Sequence, residues 1–358
     1  MNASGSINCT LEGLEVSTQY YYRAFVAEYN SDTQEVDYRF GDTKTFTTQS
    51  QGSVSTNYLT DYGMPDLSSL NPSIRQAGTY SDWEDHWYGY NTGNSSRQIA
   101  VHTYIHPDTQ EETFNYAVLY DGSRYAPVWT CHTMNLTVCP DKDVSRPSSD
   151  PWTADPAIDL VQFDGLNDNS TYSRGHFVAS NYRKSTSGQN KQTFYYTNKA
   201  PQYQSGFNSG VWSTLENRVV TMTPSGTTMM YVVTGVLYEG TLTYKPKTVG
   251  STTYNVPLPS HFYKCIMKCT FNSSGEVTAA QGIAFVYTNV SHTGEDYCDG
   301  ATSIDEIERR AGFNFFANVP GDVEGGLQYE AEANINHSWF TGVTTQSNAA
   351  SPTGYRYW

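Results

Sequence analysis

The sequence predicts an α+β protein with a largely antiparallel sheet core, preceded by a partial β-sandwich. Three segments, AVHTYIH, FNYAVLY and APVWTCHTMNLTV, alternate apolar and polar residues as half-buried antiparallel strands do. The later runs MMYVVTGVLYEG, FYKCIMKCTF and GIAFVYTN predict further strands. Strand patterns outnumber helical ones, which favours an antiparallel sheet with segregated helices over alternating βαβ units.

The first 49 residues are predicted to be a separate unit with two strand-like runs rich in Tyr, Phe, Val and Thr. The pattern Leu11-x-Gly13-Leu14 followed by Thr18-x-Tyr20 resembles the last strands of a fibronectin type III domain, where Tyr20 would occupy the tyrosine corner. Two strands cannot bury a sandwich core. We therefore expect earlier strands before residue 1. An ordinary hairpin of the following domain is the alternative.

The rest of the chain is predicted to comprise a linker and one main domain. Residues 50–78 are rich in Ser, Gly, Asn and Pro, which is typical of a linker. Residues 79–358 carry the regular strand and helix patterns and form the main domain. No run of about 18 apolar residues occurs, so we expect no integral membrane segment.

Two segments of the main domain have helical patterns. SGVWSTLENRVV places Leu215 and Val219 four residues apart, on one helix face. In TSIDEIERRAG, Ser303 precedes Glu306 by three residues, as in a capping box, and Gly312 follows as a stop signal. These two segments are the predicted helices.

Charge is distributed unevenly along the chain. The 21 Lys and Arg against 36 Asp and Glu give a net charge of −15, which by itself argues against a polyanionic partner. Residues 171–218, however, hold six cations and a single carboxylate, a local charge of +5. Such an island suits a phosphate-bearing ligand held near a metal ion.

The basic island contains three spaced motifs. They are SRGH at 173–176, TNKAPQ at 197–202, and the N-x-x-x-W-x-x-L-E pattern that runs from Asn208 to Glu216. Together they resemble the DNA/RNA non-specific endonuclease family, the ββα-metal nucleases that include endonuclease G and secreted bacterial sugar-non-specific nucleases. The resemblance extends over about residues 79–358. It implies a ββα-metal motif and cleavage of DNA and RNA to 5′-phosphate ends.

Hydrolysis of a phosphodiester requires a base, a cation and help for the leaving oxygen. His176 is the candidate general base, since an unperturbed imidazole titrates near neutrality. Asn208 offers a carbonyl oxygen, a hard ligand suited to Mg²⁺, for which Mn²⁺ could substitute. Eight helical residues span about 12 Å, so Asn208 and Glu216 are not expected to ligate one ion directly together. The resemblance implies that Glu216 holds a metal-bound water.

The remaining candidates are polar or basic residues of the same island. Arg174 is expected to anchor a phosphate or to buttress the site. The resemblance implies that Asn198 holds the phosphate or steadies His176. The substrate-binding candidates are Arg183, Lys184, Lys199 and Arg218. For Arg183 and Lys184, a place in a solvated loop is an equal alternative to nucleic-acid contact.

Several positions depart from the family pattern. Ser173 stands where the family usually has Asp, and Ala179 where it often has Pro. Val220 stands where an Arg often follows the motif glutamate by four residues. Asp150 stands where another Arg is often found, with Arg146 four residues earlier. Charge in the transition state is then stabilised less well, or by other cations.

The leading hypothesis is an extracytoplasmic, Mg²⁺-dependent endonuclease with DNA and RNA as substrates. The alternative is a surface-attached binding or adhesion protein that keeps the nuclease fold with weakened catalysis, attached through a region before residue 1. The fibronectin-like segment and the 29 Tyr residues motivate this alternative. A carbohydrate-binding module is a third hypothesis, favoured by the Trp and Tyr content and by no motif.

Overall fold

The computed structural model describes residues 19–30, 35–47, 58–80, 83–166 and 171–343. The chain divides into two compact units, residues 1–57 and 58–358. The motif residues Leu11, Gly13, Leu14 and Thr18 lie outside the described residues.

The first unit contains two antiparallel strand pairs. Strand β1 (Gln19–Tyr22) pairs with β4 (Lys44–Thr47), and β2 (Phe25–Asn30) pairs with β3 (Glu35–Phe40). Several apolar side chains of these strands are more than half exposed, namely Tyr21, Phe25, Val26, Tyr38 and Phe40. The described residues of this unit form strand pairs without a packed sandwich core, so the fibronectin type III assignment stays a prediction.

The second unit is organised around an antiparallel sheet with nine strands among the described residues, in the order β17-β16-β15-β12-β9-β8-β7-β6-β5. The largely antiparallel core that the alternating patterns predict is therefore present. The strands of this sheet are β5 (Ser73–Thr79), β6 (His86–Asn91), β7 (Arg97–Ile105), β8 (Glu112–Asp121), β9 (Ala126–Met134), β12 (Thr228–Leu237), β15 (His261–Phe271), β16 (Val277–Thr288) and β17 (Ala301–Thr302).

Two further strand pairs and five short α-helices lie in the described part of this unit, together with 3₁₀ helices at Tyr58–Thr60, Ser180–Tyr182 and Tyr196–Asn198 and an irregular helical segment at Gln204–Trp212. The pairs are β10 (Tyr172–His176) with β11 (Lys199–Tyr203), and β13 (Tyr244–Val249) with β14 (Thr252–Pro257). The helices are α1 (Ser187–Gln192), α2 (Ser213–Thr221), α3 (Ile304–Ala311), α4 (Leu327–Glu332) and α5 (Ser338–Thr341). Within the described ranges, no helix is long and apolar enough to cross a membrane.

The predicted linker differs from the structure. Residues 58–78 belong to the second unit, where Met64 and Leu70 are buried in its core. Strand β5, which begins at Ser73, forms an edge of the nine-stranded sheet. The Ser- and Pro-rich composition concealed these contacts, because only a few apolar side chains fix the segment to the sheet.

The sheet separates two hydrophobic cores, one on each face. One core packs the β10–β11 pair and α2 against the sheet through residues such as Phe177, Trp212, Leu215, Phe262 and Ile266. The other packs α3 and α4 beneath the opposite face through residues such as Trp129, Tyr263, Cys265, Ile304 and Phe315. The first core therefore supports the segment that carries the three motifs.

Both predicted helices form, and the start of each has a different structural cause. Helix α2 begins at Ser213, because Gly210 adopts a non-helical conformation (φ −122°, ψ −116°) that interrupts the preceding helical segment. At the start of helix α3 the Ser303 hydroxyl accepts from the Glu306 N–H at 3.2 Å, which is one half of the predicted capping box, whereas the Glu306 carboxylate pairs with Arg309. Gly312 ends α3 in a left-handed conformation with φ 73°, as the stop signal predicts.

Removal of this cap should destabilise the second unit. In Ser303→Ala the Glu306 N–H loses its acceptor, and we expect the free energy of unfolding to fall by about 1 kcal/mol in urea titrations. Ser303→Thr keeps the hydroxyl and should stay close to wild type. Equal stability of Ser303→Ala and wild type would show that the cap does not hold this helix start.

Candidate active site

The pairing of β10 with β11 positions His176. The strands align Ser173 with Gln202, Gly175 with Ala200 and His176 with Lys199. A Cβ on Gly175 would lie 2.5 Å from Cβ and Oε1 of Gln202, so only glycine fits this close approach. The register therefore places the end of the first motif beside the second.

The third motif follows β11 directly, as expected of a ββα arrangement. An irregular helical segment, Gln204–Trp212, leads into α2 and carries Asn208, whereas α2 carries Glu216. Gly206, with φ 75°, permits the turn at the start of this segment. The order strand, strand, helix thus brings all three motifs together.

Residues of the first and third motifs line one open cavity of about 680 Å³. Its lining includes the candidates His176, Arg174, Asn208, Glu216 and Lys184. The volume is in the range of ligand-binding clefts in proteins. Five of the nine residues proposed from the sequence therefore share one site.

His176 is held between two aromatic rings. Its ring centroid lies 4.7 Å from that of Trp152 and 5.1 Å from that of Phe194. Its Nε2 is buried and has no hydrogen-bond partner among the described residues. Burial, together with the cations Arg146 and Arg174, lowers the pKa of His176 to about 3, so the imidazole is neutral at physiological pH.

Asn208 is oriented by a hydrogen bond to the second motif. Its Nδ2 donates to Oε1 of Gln202 at 2.6 Å, and Gln202 is fully buried. With the amide nitrogen engaged, the carbonyl oxygen of Asn208 is the atom available to a cation in the cavity.

Glu216 faces a buried lysine. Burial raises the pKa of Glu216 above its ordinary value, whereas the Lys264 ammonium and the Trp212 indole oppose this shift. Lys264 is fully buried, donates to Thr234 Oγ1 at 2.7 Å and lies 4.9 Å from the Trp212 ring centroid. A divalent cation near Glu216 would further favour its carboxylate form.

Asn198 is fully buried outside the cavity lining and shapes the turn after His176. Its Oδ1 accepts from the Val178 N–H at 2.9 Å, and its Nδ2 donates to the carbonyl oxygens of Val178 and Thr193. Because Asn198 is fully buried, it steadies the turn that follows His176 and does not reach a phosphate.

Three predicted substrate contacts are wrong. The Arg183 guanidinium is buried and donates to the carbonyl oxygens of Asn115 and Tyr182. Lys199 Nζ is buried and donates to the Phe163 carbonyl oxygen at 2.9 Å, and burial lowers its pKa to about 7.

Arg218 is the third of these residues. Its Nε donates to the Phe340 carbonyl oxygen at 2.7 Å, which directs it towards α5 and away from the cavity lining. The sequence shows that these three side chains are positively charged. It does not show that the fold engages each of them with a backbone carbonyl oxygen.

Sequence reasoning also missed residues of the cavity wall. Arg146 and Trp152 line the cavity, and Phe194 supports both His176 and Arg146. The sequence offered one indication for Arg146, since this residue lies four residues before the position where the family often has an arginine. Trp152 and Phe194 had none, because aromatic side chains are ordinarily core residues.

Known proteins of one family are similar to this chain. The family described as DNA/RNA non-specific endonuclease matches residues 95–322, which include all three motifs. A nuclease of Serratia marcescens is 29% identical over 184 residues, covering 49% of this chain and 65% of that protein. Nuclease 1, mitochondrial, of Schizosaccharomyces pombe is 28% identical over 238 residues, covering 63% and 72%.

Two further proteins are similar to parts of this chain. The mitochondrial endonuclease G of Caenorhabditis elegans is 31% identical over 163 residues, covering 42% of this chain and 48% of that protein. A solved structure of the EndoG/EndoGI complex is similar with 26% identity and a TM-score of 0.44, covering 57% of this chain and 84% of that chain. The chain thus spans about half to three quarters of the lengths of these three curated relatives. Because the family match covers more than half of its residues, this chain belongs to the DNA/RNA non-specific endonuclease family.

Proposed function

We propose that this protein is a Mg²⁺-dependent endonuclease that hydrolyses DNA and RNA to 5′-phosphate ends, with His176 as general base. The observation that carries the proposal is the convergence of His176, Asn208 and Glu216 on one cavity. Family membership supports a nucleic-acid substrate. An extracytoplasmic location stays a prediction.

The residues of the cavity fit a hydrated divalent cation. The Asn208 carbonyl oxygen and the Glu216 carboxylate are both hard oxygen ligands, and the cavity has room for water between them. Asn208 would hold Mg²⁺ or Mn²⁺ directly, and Glu216 would hold it through water. A bound cation would neutralise the charge that develops on the phosphate.

The side chains perform the proton transfer. A neutral His176 takes a proton from the attacking water at Nδ1, since its Nε2 is buried. The water oxygen forms a bond to phosphorus, and the bond from phosphorus to the 3′ oxygen breaks. The 5′-phosphate stays on one product, and the 3′ oxygen takes a proton from solvent in the cavity.

A binding protein with weakened catalysis is the second candidate. It is favoured by the exposed aromatic strands of the first unit and by Asp150 at a position where an arginine is often found. The same experiment separates both candidates, because a binding protein would retain nucleic acid without cutting it.

Digestion of plasmid DNA and of RNA tests the proposal. Wild type should cut both substrates with Mg²⁺ and neither with a chelator, and Mn²⁺ should restore cutting. His176→Ala should lower the rate by about 10²- to 10⁴-fold, the range for loss of a general base. His261→Ala, a histidine that does not line the cavity, is the matched control.

Two results would contradict the proposed endonuclease activity. One is digestion that persists in chelator, and the other is a His176→Ala variant as active as wild type. Retention of nucleic acid without digestion in either buffer would favour the binding protein.

The ionisation of His176 can be tested in the metal-free protein. Burial and two arginines disfavour the imidazolium, so the pKa lies below the ordinary value near 6.5 and the ring stays neutral at pH 5. NMR titration of the imidazole C–H signals, assigned by their absence in His176→Asn, measures this directly. A midpoint at or above 6.5 would contradict the described environment.

A further inference from the structure

Three basic side chains line the cavity, and two of them are already neutralised. Lys184 Nζ lies 3.1 Å from a carboxylate oxygen of Asp141 and 3.0 Å from Oδ1 of Asp143. The two carboxylates together outweigh the single ammonium. Lys184 therefore offers no net positive charge to an anionic substrate.

The positive charge of Arg174 is also neutralised by two carboxylates. Its Nη1 lies 2.8 Å from Asp150 Oδ2 and 3.0 Å from Asp164 Oδ1. Its guanidinium carbon also lies 5.3 Å from the Trp152 ring centroid. For Arg174 to bind a phosphate through these N–H groups, it would have to break contacts that two carboxylates already satisfy.

Arg146 differs from both. It is exposed, and within the described ranges no carboxylate lies within 4.0 Å of its guanidinium nitrogens. Its guanidinium carbon lies 4.8 Å from the centroid of the Phe194 ring, which also contacts the rings of His176 and Trp152. Arg146 thus sits beside the candidate base without a carboxylate in direct contact, and Asp150 interacts with its charge only at longer range.

The electrostatics of His176 support this placement. Arg146 lowers the pKa of His176 more than Arg174 does, although both line the cavity. The field at the imidazole is therefore set more by Arg146 than by the arginine of the SRGH motif. A phosphate held next to His176 would experience the same field.

We propose that Arg146 is the side chain that binds the scissile phosphate, and that Arg174 is a positioning residue that holds Asp150 and Asp164. This inference rests on the proposed nuclease function. A guanidinium matches two phosphate oxygens with paired N–H donors, and the contact of its carbon with the Phe194 ring engages none of those donors in a hydrogen bond. The arginine expected at Asp150 is thereby replaced by one from a neighbouring position.

Steady-state kinetics of variants test this assignment. Arg146→Ala should lower kcat/KM on plasmid DNA by about 100-fold, the loss expected for two charge-assisted hydrogen bonds. Arg146→Lys should recover about a tenth of wild-type activity, since it restores charge without the paired donors. Arg309→Ala, an exposed arginine paired with Glu306 on α3, is the matched control and should equal wild type.

Chemical rescue separates substrate binding from a structural role. Guanidinium chloride at millimolar concentration should raise the activity of Arg146→Ala at least tenfold over an equal concentration of sodium chloride. It should not rescue Arg174→Ala, whose loss would arise from the displaced carboxylates. Rescue of Arg174→Ala alone would reverse the two roles and overturn the proposal.

The outcomes for the two proposals are distinguishable. If wild type and His176→Ala are equally inactive, the nuclease function itself fails. If wild type is active, His176→Ala is inactive and Arg146→Ala lies within twofold of wild type, the function stands and the role of Arg146 is overturned.

Discussion

The site depends on one buried side chain, Gln202, which lies between the first and third motifs. Its body occupies the space that the missing side chain of Gly175 leaves open, and its Oε1 accepts from Asn208 Nδ2 at 2.6 Å. The strand that ends in His176 is thereby tied to the segment that carries the candidate metal ligand. Such a buried, directional contact fixes relative positions to a few tenths of an ångström, which hydrolytic sites require.

The second feature of the cavity is the distribution of its charges. The chain is strongly acidic, and its carboxylates reach the cavity wall, where they neutralise Arg174 and Lys184. An acidic protein that acts on a polyanion must concentrate its attraction at the point of reaction. One arginine beside His176 with no carboxylate in direct contact, together with a divalent cation, would supply that local attraction while the acidic remainder of the chain repels the substrate.

Much of this arrangement could be predicted from the sequence, and the failures share a cause. The strand patterns, the Ser303 cap of α3 and the three motifs depend on local spacing, so they were visible without the fold. The roles of Arg183 and Lys199 depend on burial and that of Arg218 on its contact with α5, neither of which charge counting can show, and all three bond to backbone carbonyl oxygens. The linker prediction failed similarly, because a few buried apolar residues outweigh a polar composition.

The central claim is that close packing at Gly175 holds Asn208 in place through Gln202. The most direct measurement is the Mg²⁺ dependence of DNA cleavage by Gly175→Ala, beside circular dichroism to verify the fold. The added methyl group must displace Gln202. We predict that the variant remains folded, loses about 100-fold in activity and needs more Mg²⁺ for half-maximal rate. A folded variant with wild-type activity and Mg²⁺ dependence would contradict the account.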